Sequence, residues 1–356
     1  MGRILIKNGR LWDGEKFIFA DILTEGEKIR KISKGITENT DYTFDAKGLT
    51  VSAGLIDLHV HTKGISSDEF GINAEASSFP FGVTAVNNAG TAFANRALSD
   101  MCAVKNTVFV GVGVKDGHAV LENTKLHLKE YGEKAVGIKV YLDTKLSALT
   151  DGTILKEVCS FAHENNLRVM VHCSNSPISM AEITGILSKG DIITHIFHGG
   201  ANSCTENDFE AFRIAKEKGV IMDAGFAGHV HTDFENLTRS VSSGFLPDTI
   251  STDITRFSAF KRGGKYGMTM CMSIAREVRM CEEDIFKAVT STPAKVLGRE
   301  KEWGYLIEGR CADIAVLEIA DEGFELTDKN GNKIKSSKGY RCSLTLSNGE
   351  ITYKDR

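Results

Sequence analysis

Proline is scarce in this sequence, with 4 residues in 356, and features of a secreted or membrane-bound chain are missing as well. No apolar run approaches the roughly 18 residues that a membrane span needs. The segment MGRILIKNGRLWDG carries scattered charges and lacks an apolar core of signal-peptide length. The 8 cysteines include no C-x-x-C pair, which favours reduced cysteines used for packing. We therefore expect a cytoplasmic protein that binds no membrane.

The sequence also lacks a large charge of either sign. Its formal net charge is −4, so we expect no nucleic-acid-binding surface. Hydrophobic residues make up 42% and charged residues 25%, which is ordinary for a globular protein. The length suffices for one large α/β domain and a smaller one.

Short apolar runs alternate with amphipathic segments through the middle of the chain. The eight candidate strands are 55–61, 82–89, 107–114, 136–142, 167–173, 191–197, 219–225 and 248–254. Apolar strands that alternate with helices indicate a parallel sheet covered on its outer face. Eight such units in roughly 250 residues predict a (β/α)8 barrel of the TIM type, with an open doubly wound sheet as the alternative.

Both ends of the chain are instead rich in short strands and turns. The candidate strands there are 4–13, 19–33, 41–46, 312–319, 339–349 and 350–354. We expect the two ends to pair as one small β-sandwich domain. The predicted division is a β domain of residues 1–50 plus 303–356 and a barrel of residues 51–302.

The stretch GLIDLHVHT places Asp57, His59 and His61 in alternation at the end of an apolar run. In a β-strand, residues at i, i+2 and i+4 point to one face. Two imidazoles held side by side on a rigid strand can ligate one metal ion. A hydrogen-bonded pair of histidines without a chemical role is the alternative that so short a pattern leaves open.

Four more polar residues lie in or at the ends of the other candidate strands: Lys139, His172, His195 and Asp253. In a barrel, the C-terminal ends of the strands converge on one mouth, where catalytic groups lie. A single buried histidine is more often structural, but a buried lysine is rare unless it is paired or chemically altered. Convergence of all these residues with the histidine pair predicts a metal site.

The ordered set H-x-H, K, H, H, D resembles the metal site of the amidohydrolase superfamily, in its binuclear branch of dihydroorotases and hydantoinases. The likeness spans almost the whole chain and includes GLIDLHVH, GIKVYL, MVHCSN, DIITHIFHG, LPDTISTD and GRCADIAVLE. The segments LRVMVHCSNSP, GDIITHIFHG and GFLPDTISTD are most similar to the amidohydrolase/deacetylase subgroup. Before the first motif, SAGLID replaces a more usual proline-glycine, which affects a turn and no ligand.

The resemblance implies that two divalent metal ions are held by His59, His61, Lys139, His172, His195 and Asp253. The histidine pair and Asp253 would bind one ion, and His172 and His195 the other. A free ammonium has no lone pair, so Lys139 would bridge both ions as a carbamate formed with carbon dioxide. Imidazole and carboxylate ligands suit Zn²⁺ best, with Mn²⁺ or Fe²⁺ as alternatives.

The resemblance also implies a mechanism, in which a hydroxide that bridges the two metals attacks a carbonyl carbon. Asp253 would act as the general acid and base that carries the proton to the leaving group. We expect Asp57 to support the site from behind by orienting a histidine. His198 is expected to have a similar supporting role.

Four residues are candidates for contact with the substrate. A second H-x-H, His229 and His231, follows strand seven, and we expect one of these imidazoles near the substrate rather than a third metal. Arg256 lies in the basic loop TRFSAFKRGGKYG, where barrels often bind anionic groups, although a solvated loop is the alternative. Lys63 stands where dihydroorotases carry a carboxylate-binding arginine, which argues against that activity but leaves lysine as a point charge.

The leading functional prediction is a metal-dependent hydrolase of the amide or ester bond of a small acyl derivative, in particular an N-acetyl amino acid or O-acetyl hydroxy acid. Ring opening of a cyclic amide is the first alternative, and purine (adenine) deamination is the second. A non-catalytic scaffold is a third, but such relatives usually lack metal ligands, and this chain keeps all six. The expected partners are a small anionic substrate and other copies of the chain in a homo-oligomer.

Overall fold

The computed structural model of the chain describes residues 2–63, 70–90, 96–145, 149–227, 230–261 and 266–355. The strands are β1 Arg3–Trp12, β2 Phe17–Glu25, β3 Lys28–Ser33, β4 Tyr42–Asp45, β5 Thr50–Ala53, β6 Leu55–Val60, β7 Thr62–Lys63, β8 Ile72–Asn73, β9 Val83–Ala89, β10 Lys105–Gly111, β11 Gly113–Lys115, β12 His118–Val120, β13 Ala135–Tyr141, β14 Arg168–His172, β15 Ile192–Thr194, β16 Ile221–Asp223, β17 Ile314–Ala320, β18 Phe324–Thr327, β19 Lys333–Ser336, β20 Gly339–Ser347 and β21 Glu350–Lys354. The helices are α1 Ala74–Ser78, α2 Arg96–Asp100, α3 Glu122–Tyr131, α4 Thr153–Glu164, α5 Met180–Ile186, α6 Glu210–Lys218, α7 Phe234–Ser242, α8 Arg256–Lys261, α9 Met268–Glu277, α10 Glu282–Val289 and α11 Ser291–Val296.

A parallel sheet forms the barrel, in the order β6, β9, β10, β13, β14, β15, β16. Residues 249–254 close it, because Asp223 pairs with Thr249 and Val60 pairs with Ile254, both in parallel. These residues form isolated bridges rather than a regular strand. The predicted barrel is confirmed, and the open sheet is excluded because the two edges of the sheet are joined through this segment.

Amphipathic helices cover the outer face of the barrel, as their apolar periodicity predicts. Helix α4, for example, buries Ile154, Leu155 and Val158 against the sheet side of the core. The last helical segment of the barrel is divided at Thr290 into α10 and α11. Pro293 lies in the first turn of α11, where the lack of an amide hydrogen costs no helical hydrogen bond. None of the described helices has the length and apolar composition needed to cross a membrane.

The two ends of the chain share one mixed sheet, in the order β21, β20, β17, β5, β1, β2, β3, with β4 against β1. Strand β17 from the second end pairs antiparallel with β5 from the first. The expectation that both ends build one β unit beside the barrel is therefore confirmed. The domain limits 1–50, 51–302 and 303–356 stay a prediction.

A hairpin of β18 and β19, absent from the sequence-based prediction, extends from this β unit toward the barrel. Its tip reaches helix α7, because the amide of Phe234 donates to Asp328 Oδ2 over 2.8 Å. Helix α7 follows the barrel's seventh strand. The terminal unit therefore contacts the barrel at the end where the predicted site residues lie.

Candidate metal centre

The six predicted metal ligands converge at the mouth of the barrel, at the C-terminal ends of its strands. They are buried, with exposed fractions between 0 and 7%: His59, His61, Lys139, His172, His195 and Asp253. Period-two alternation along β6 explains the first pair, and parallel pairing sets Lys139 and His172 at the same end of β13 and β14. The barrel therefore brings together residues that lie almost 200 positions apart.

We call His59, His61 and Asp253 the first group. Their potential ligand atoms all lie within 4.8 Å of one another. His61 Nε2 is 2.9 Å and His59 Nε2 is 3.3 Å from the same oxygen, Asp253 Oδ1. Lys139 adjoins this group, with its Nζ 3.4 Å from His59 Nε2. The group thus presents two imidazole nitrogens and one carboxylate oxygen around one point.

We call His172, His195 and His231 the second group. Their ligand atoms also lie within 4.8 Å of one another. The ring centroid of His231 is 4.3 Å from that of His195 and 4.9 Å from that of His172. His195 Nε2 lies 3.9 Å from Asp253 Oδ2, so the two groups are adjacent. His231, expected near the substrate, therefore lies against the proposed second metal position.

Three of the buried imidazoles, those of His59, His172 and His195, each use one ring nitrogen for a hydrogen bond away from the groups. His59 Nδ1 contacts Thr194 Oγ1 at 3.0 Å, and His195 Nδ1 donates to Gly225 O over 2.7 Å. His172 Nε2 lies 3.3 Å from Asp143 Oδ2. A nitrogen that donates to oxygen carries the hydrogen, which leaves the lone pair of the other nitrogen available to a metal ion. The donor set therefore fits two divalent ions.

Asp223 anchors the base of the site. It is fully buried and accepts hydrogen bonds from three hydroxyl groups, those of Thr194, Thr249 and Ser251, over 2.6–2.7 Å. Because Thr194 donates to Asp223, its oxygen is free to accept from His59 Nδ1. Burial raises the pKa of Asp223, and the hydroxyl donors oppose that rise. The carboxylate thus fixes the orientation and tautomer of His59 through one threonine.

Lys139 is fully buried and, among the residues that the structure describes, has no carboxylate within ion-pair distance. Burial lowers the pKa of its amine to about 8, although the charges of Asp253 and Asp223 raise it. An amine in this state loses its proton far more readily than an exposed lysine. The side chain is therefore prepared for chemistry that needs the neutral amine.

Asp253 remains ionised in spite of its burial. Burial raises the pKa of the carboxyl group, but His59 and His61 lower it below its ordinary value. Two residues of the site adopt the left-handed backbone conformation, Asp253 with φ 48° and His195 with φ 67°. Non-glycine residues in this region are strained, and such strain clusters at functional sites. The same conformation breaks the ladder of the eighth strand at residue 253.

The two predicted supporting residues contact the site in different ways. Asp57 accepts from Thr252 Oγ1 over 2.6 Å and from the amide of Thr252 over 3.0 Å. Burial raises the pKa of Asp57 to about 7. This carboxyl group holds the segment that carries Asp253, and it approaches the backbone amide of His59 rather than an imidazole. His198 is fully buried, with its Nδ1 accepting from the amide of Gly200.

Three of the four residues predicted to contact the substrate remain to be placed, because His231 already belongs to the second group. His229 lies outside the described residues. Lys63 is half-buried at the end of β7. The amide of Arg256 donates to Phe70 O over 2.9 Å, and its guanidinium carbon lies 5.7 Å from the Phe260 ring centroid. The ring of Phe70 in turn lies 4.8 Å from that of His61, so Arg256 borders the first group through this phenylalanine.

Four polar residues of the site were missed by the sequence analysis: Asp143, Ser174, Thr194 and Asp223. Ser174 Oγ lies 2.7 Å from His172 Nε2 and 3.0 Å from His231 Nδ1, so it links two imidazoles. Period two along each strand carries the signal for two of the four, since Asp143 follows Lys139 by four residues and Ser174 follows His172 by two.

Known proteins resemble this chain over most of its length. A deacetylase of Agrobacterium fabrum is 28% identical over 336 residues, covering 88% of this chain and 81% of that protein. A deacetylase of Enterococcus faecalis is 27% identical, covering 98% of each. A solved structure described as a dihydroorotase superposes with a TM-score of 0.86 at 24% identity, covering 100% of this chain and 99% of that one. One described as an adenine deaminase gives 0.85 at 25%, covering 99% of each.

These likenesses confirm the predicted resemblance to the binuclear branch and to its deacetylases. They agree with the barrel and the terminal β unit. The sequence model of the Amidohydrolase family matches residues 50–351. The chain therefore belongs to the amidohydrolase family.

Proposed function

We propose that the protein is a metal-dependent deacetylase that hydrolyses an N-acetyl amino acid or an O-acetyl hydroxy acid. The observation that carries the proposal is the pair of adjacent histidine groups that meet at Asp253, with the Lys139 amine beside them. Two relatives named deacetylases support the acetyl group as the part that is removed.

The first group would hold one divalent ion, and His172 and His195 of the second group would hold the other, with Zn²⁺ as the ion that imidazole and carboxylate ligands suit best. The neutral amine of Lys139 would take up carbon dioxide with the loss of one proton to solvent, and the resulting carbamate would provide a further anionic ligand for the ions. Its complete burial and lowered pKa both favour the neutral amine that this reaction requires. When bound, a pair of such ions ionises water near neutral pH and polarises a carbonyl oxygen.

The protein's own residues account for the proton transfers. Asp253 is held as a carboxylate by its imidazole neighbours, so it can accept the proton of the attacking water. After the acyl bond breaks, the same carboxyl group can donate that proton to the leaving amine or alkoxide. The hydrogen bonds of Thr194, Asp223 and Gly225 keep the imidazoles fixed meanwhile. The buried surroundings exclude bulk water from the reacting atoms.

The test is acetate release by zinc- or manganese-loaded protein from a panel of acetylated amino acids and acetylated α-hydroxy acids, with both enantiomers of each. Release from one stereochemical series supports the proposal and defines the substrate class. Silence across the panel, from protein shown to contain its metals, overturns it. Ring opening of hydantoins and dihydroorotate would then be assayed first, and adenine deamination second.

A further inference from the structure

The tip of the β18–β19 hairpin is fastened over one side of the barrel mouth. Asp328 is buried and accepts from the amide of Phe234 at the start of α7 over 2.8 Å. The side-chain amide of Asn330 donates to Asp233 Oδ2 over 2.5 Å and approaches Gly199 O at 3.5 Å. The tip therefore bridges the loops that follow the sixth and seventh strands.

The tip is rigid as well as fastened. Asp328 Oδ1 accepts from the amides of Asn330 and Asn332 over 2.8 and 2.9 Å, and the amide of Asp328 donates to Asn332 O over 2.9 Å. Each of these hydrogen bonds joins Asp328, before Lys329, to a residue after it. Lys329 lies between the two fastened residues, Asp328 and Asn330. The backbone of Lys329 is thus held in place, while its side chain is exposed.

Lys329 differs from the other lysines of the hairpin. Lys333 and Lys335 face Glu325 at 2.9 and 3.9 Å, and Lys338 faces Asp321 at 3.2 Å. Within the described part of the chain, Lys329 makes no ion pair with any carboxylate. Its charge is therefore available to an anion from outside the protein.

The contacts of the tip place Lys329 beside the loops that carry two histidines of the mouth. Its neighbour Asn330 contacts Gly199, which directly follows His198 in the chain, and Asp233, which follows His231 by two residues. Lys329 is therefore held on the side of the mouth where the second group lies, although it belongs to the terminal β unit.

His198 adds an uncompensated donor at the same place. Its Nδ1 accepts from the amide of Gly200, so the ring hydrogen lies on Nε2. That nitrogen is buried and has no hydrogen-bond partner among the described residues. A buried N–H dipole without an acceptor favours a negative charge nearby. The side of the mouth under the hairpin tip therefore combines a free ammonium group with an unsatisfied donor.

We propose that Lys329 binds the carboxylate of the substrate, so that the terminal β unit supplies a specificity-determining residue to the barrel's active site. The inference rests on the proposed function, since it assumes a small carboxylic acid derivative as the substrate. It places the carboxylate on the side of the second group, rather than beside Arg256 and the first group. Lysine suits this role because its ammonium is a mobile point charge on a flexible stem.

The experiment measures binding rather than turnover, by isothermal titration of zinc-loaded protein with lactate and with its neutral analogue lactamide. The variant is Lys329→Met, which removes the charge and keeps an unbranched stem. The matched control is Lys335→Met, which removes the same charge from the stem of the same hairpin. Because Lys329 is exposed, we expect both variants to keep the unfolding temperature of the natural protein.

We expect the natural protein to prefer lactate to lactamide, and Lys329→Met to weaken lactate binding by about tenfold without affecting lactamide. The control is expected to bind both as the natural protein does. Unchanged lactate affinity in Lys329→Met overturns the proposal, as does an equal loss for lactate and lactamide or the lack of any preference in the natural protein. Because neither probe has an acetyl group, a silent acetate-release panel defeats the proposed function and leaves this result standing.

Discussion

Two places in this barrel bring together residues of metal-binding type, one at each end of the strands. The first group, His59, His61 and Asp253, lies at the mouth. The other, which we call the lower group, lies at the opposite end and consists of Cys159 and His163 on α4 and Asp191 just before β15. In both groups the potential ligand atoms lie within 4.8 Å of one another. Spacing alone does not distinguish them.

The hydrogen bonds do distinguish them. Asp191 accepts from the amides of Val169 and Ser188 over 2.9 and 2.8 Å and from His163 Nε2 over 2.8 Å, so its oxygens are already occupied. Burial raises the pKa of the Cys159 thiol to about 12, which keeps it protonated. At the mouth, by contrast, Asp253 Oδ1 faces Nε2 of His59, whose ring hydrogen lies on Nδ1 and points to Thr194. The lower group therefore has a structural role, whereas the first group is arranged to bind a cation.

The largest effect that would sharpen this comparison is expected from Lys139→Ala. Removal of the proposed carbamate ligand should reduce the metal content from about two ions per chain to a small fraction, and the activity by about a thousandfold or more. Elemental analysis after dialysis measures the content. His163→Ala, in the lower group, is the matched control and should keep both metals. Full metal content in Lys139→Ala would end the carbamate proposal.

The second largest effect is expected from Asp223→Asn, because Asp223 orients His59 through the hydroxyl group of Thr194. In Asp223→Asn the amide cannot accept all three hydroxyl hydrogen bonds, so His59 loses part of its orientation. We expect metal affinity to fall by about 10- to 100-fold. Competition with a chromophoric chelator measures the affinity. The same change at the other end, Asp191→Asn, is the control, and an equal loss of metal affinity there would contradict the distinction between the two groups.

What the sequence could predict follows from how each residue is placed. The six residues of the proposed metal site stand in or at the ends of apolar runs, so periodicity and barrel topology suffice to bring them together. His231 instead lies in a loop, and the hairpin tip that carries Lys329 comes from the distant terminal unit. Their positions depend on tertiary contacts such as that of Asp328 with Phe234, for which no local pattern exists.

The eighth strand is a second feature that the sequence predicts only in part. Its apolar run predicts a strand over 248–254, and residues at both ends of the run do pair with the neighbouring strands. The left-handed backbone at Asp253 interrupts the ladder, and a non-glycine residue gives no sign of this conformation in the sequence. The departure from regular structure thus falls on a residue of the proposed site.

Asp191→Asn tests the structural role of the lower group directly. Its carboxylate accepts two backbone amides and an imidazole, and the amide group of asparagine would leave at least one donor poorly paired. We expect the free energy of unfolding to fall by about 1–3 kcal/mol, while kcat and metal content stay unchanged. Urea denaturation of the metal-loaded protein measures the loss. A stable variant that has lost metal would show the lower group to be a binding site.

The smallest effect is expected from Cys159→Ala, and it bears most directly on whether the lower group ever holds a metal. A protonated, buried thiol is no ligand, because metal ions bind the thiolate. Cobalt-substituted protein reports thiolate ligation through a sulfur-to-cobalt charge-transfer band. We expect no such band in the natural protein and therefore no spectral change in Cys159→Ala, with Lys139→Ala as the positive control for cobalt loss. A charge-transfer band that disappears in Cys159→Ala would show that a metal ion binds the thiolate of this residue. It would contradict the structural role of the lower group.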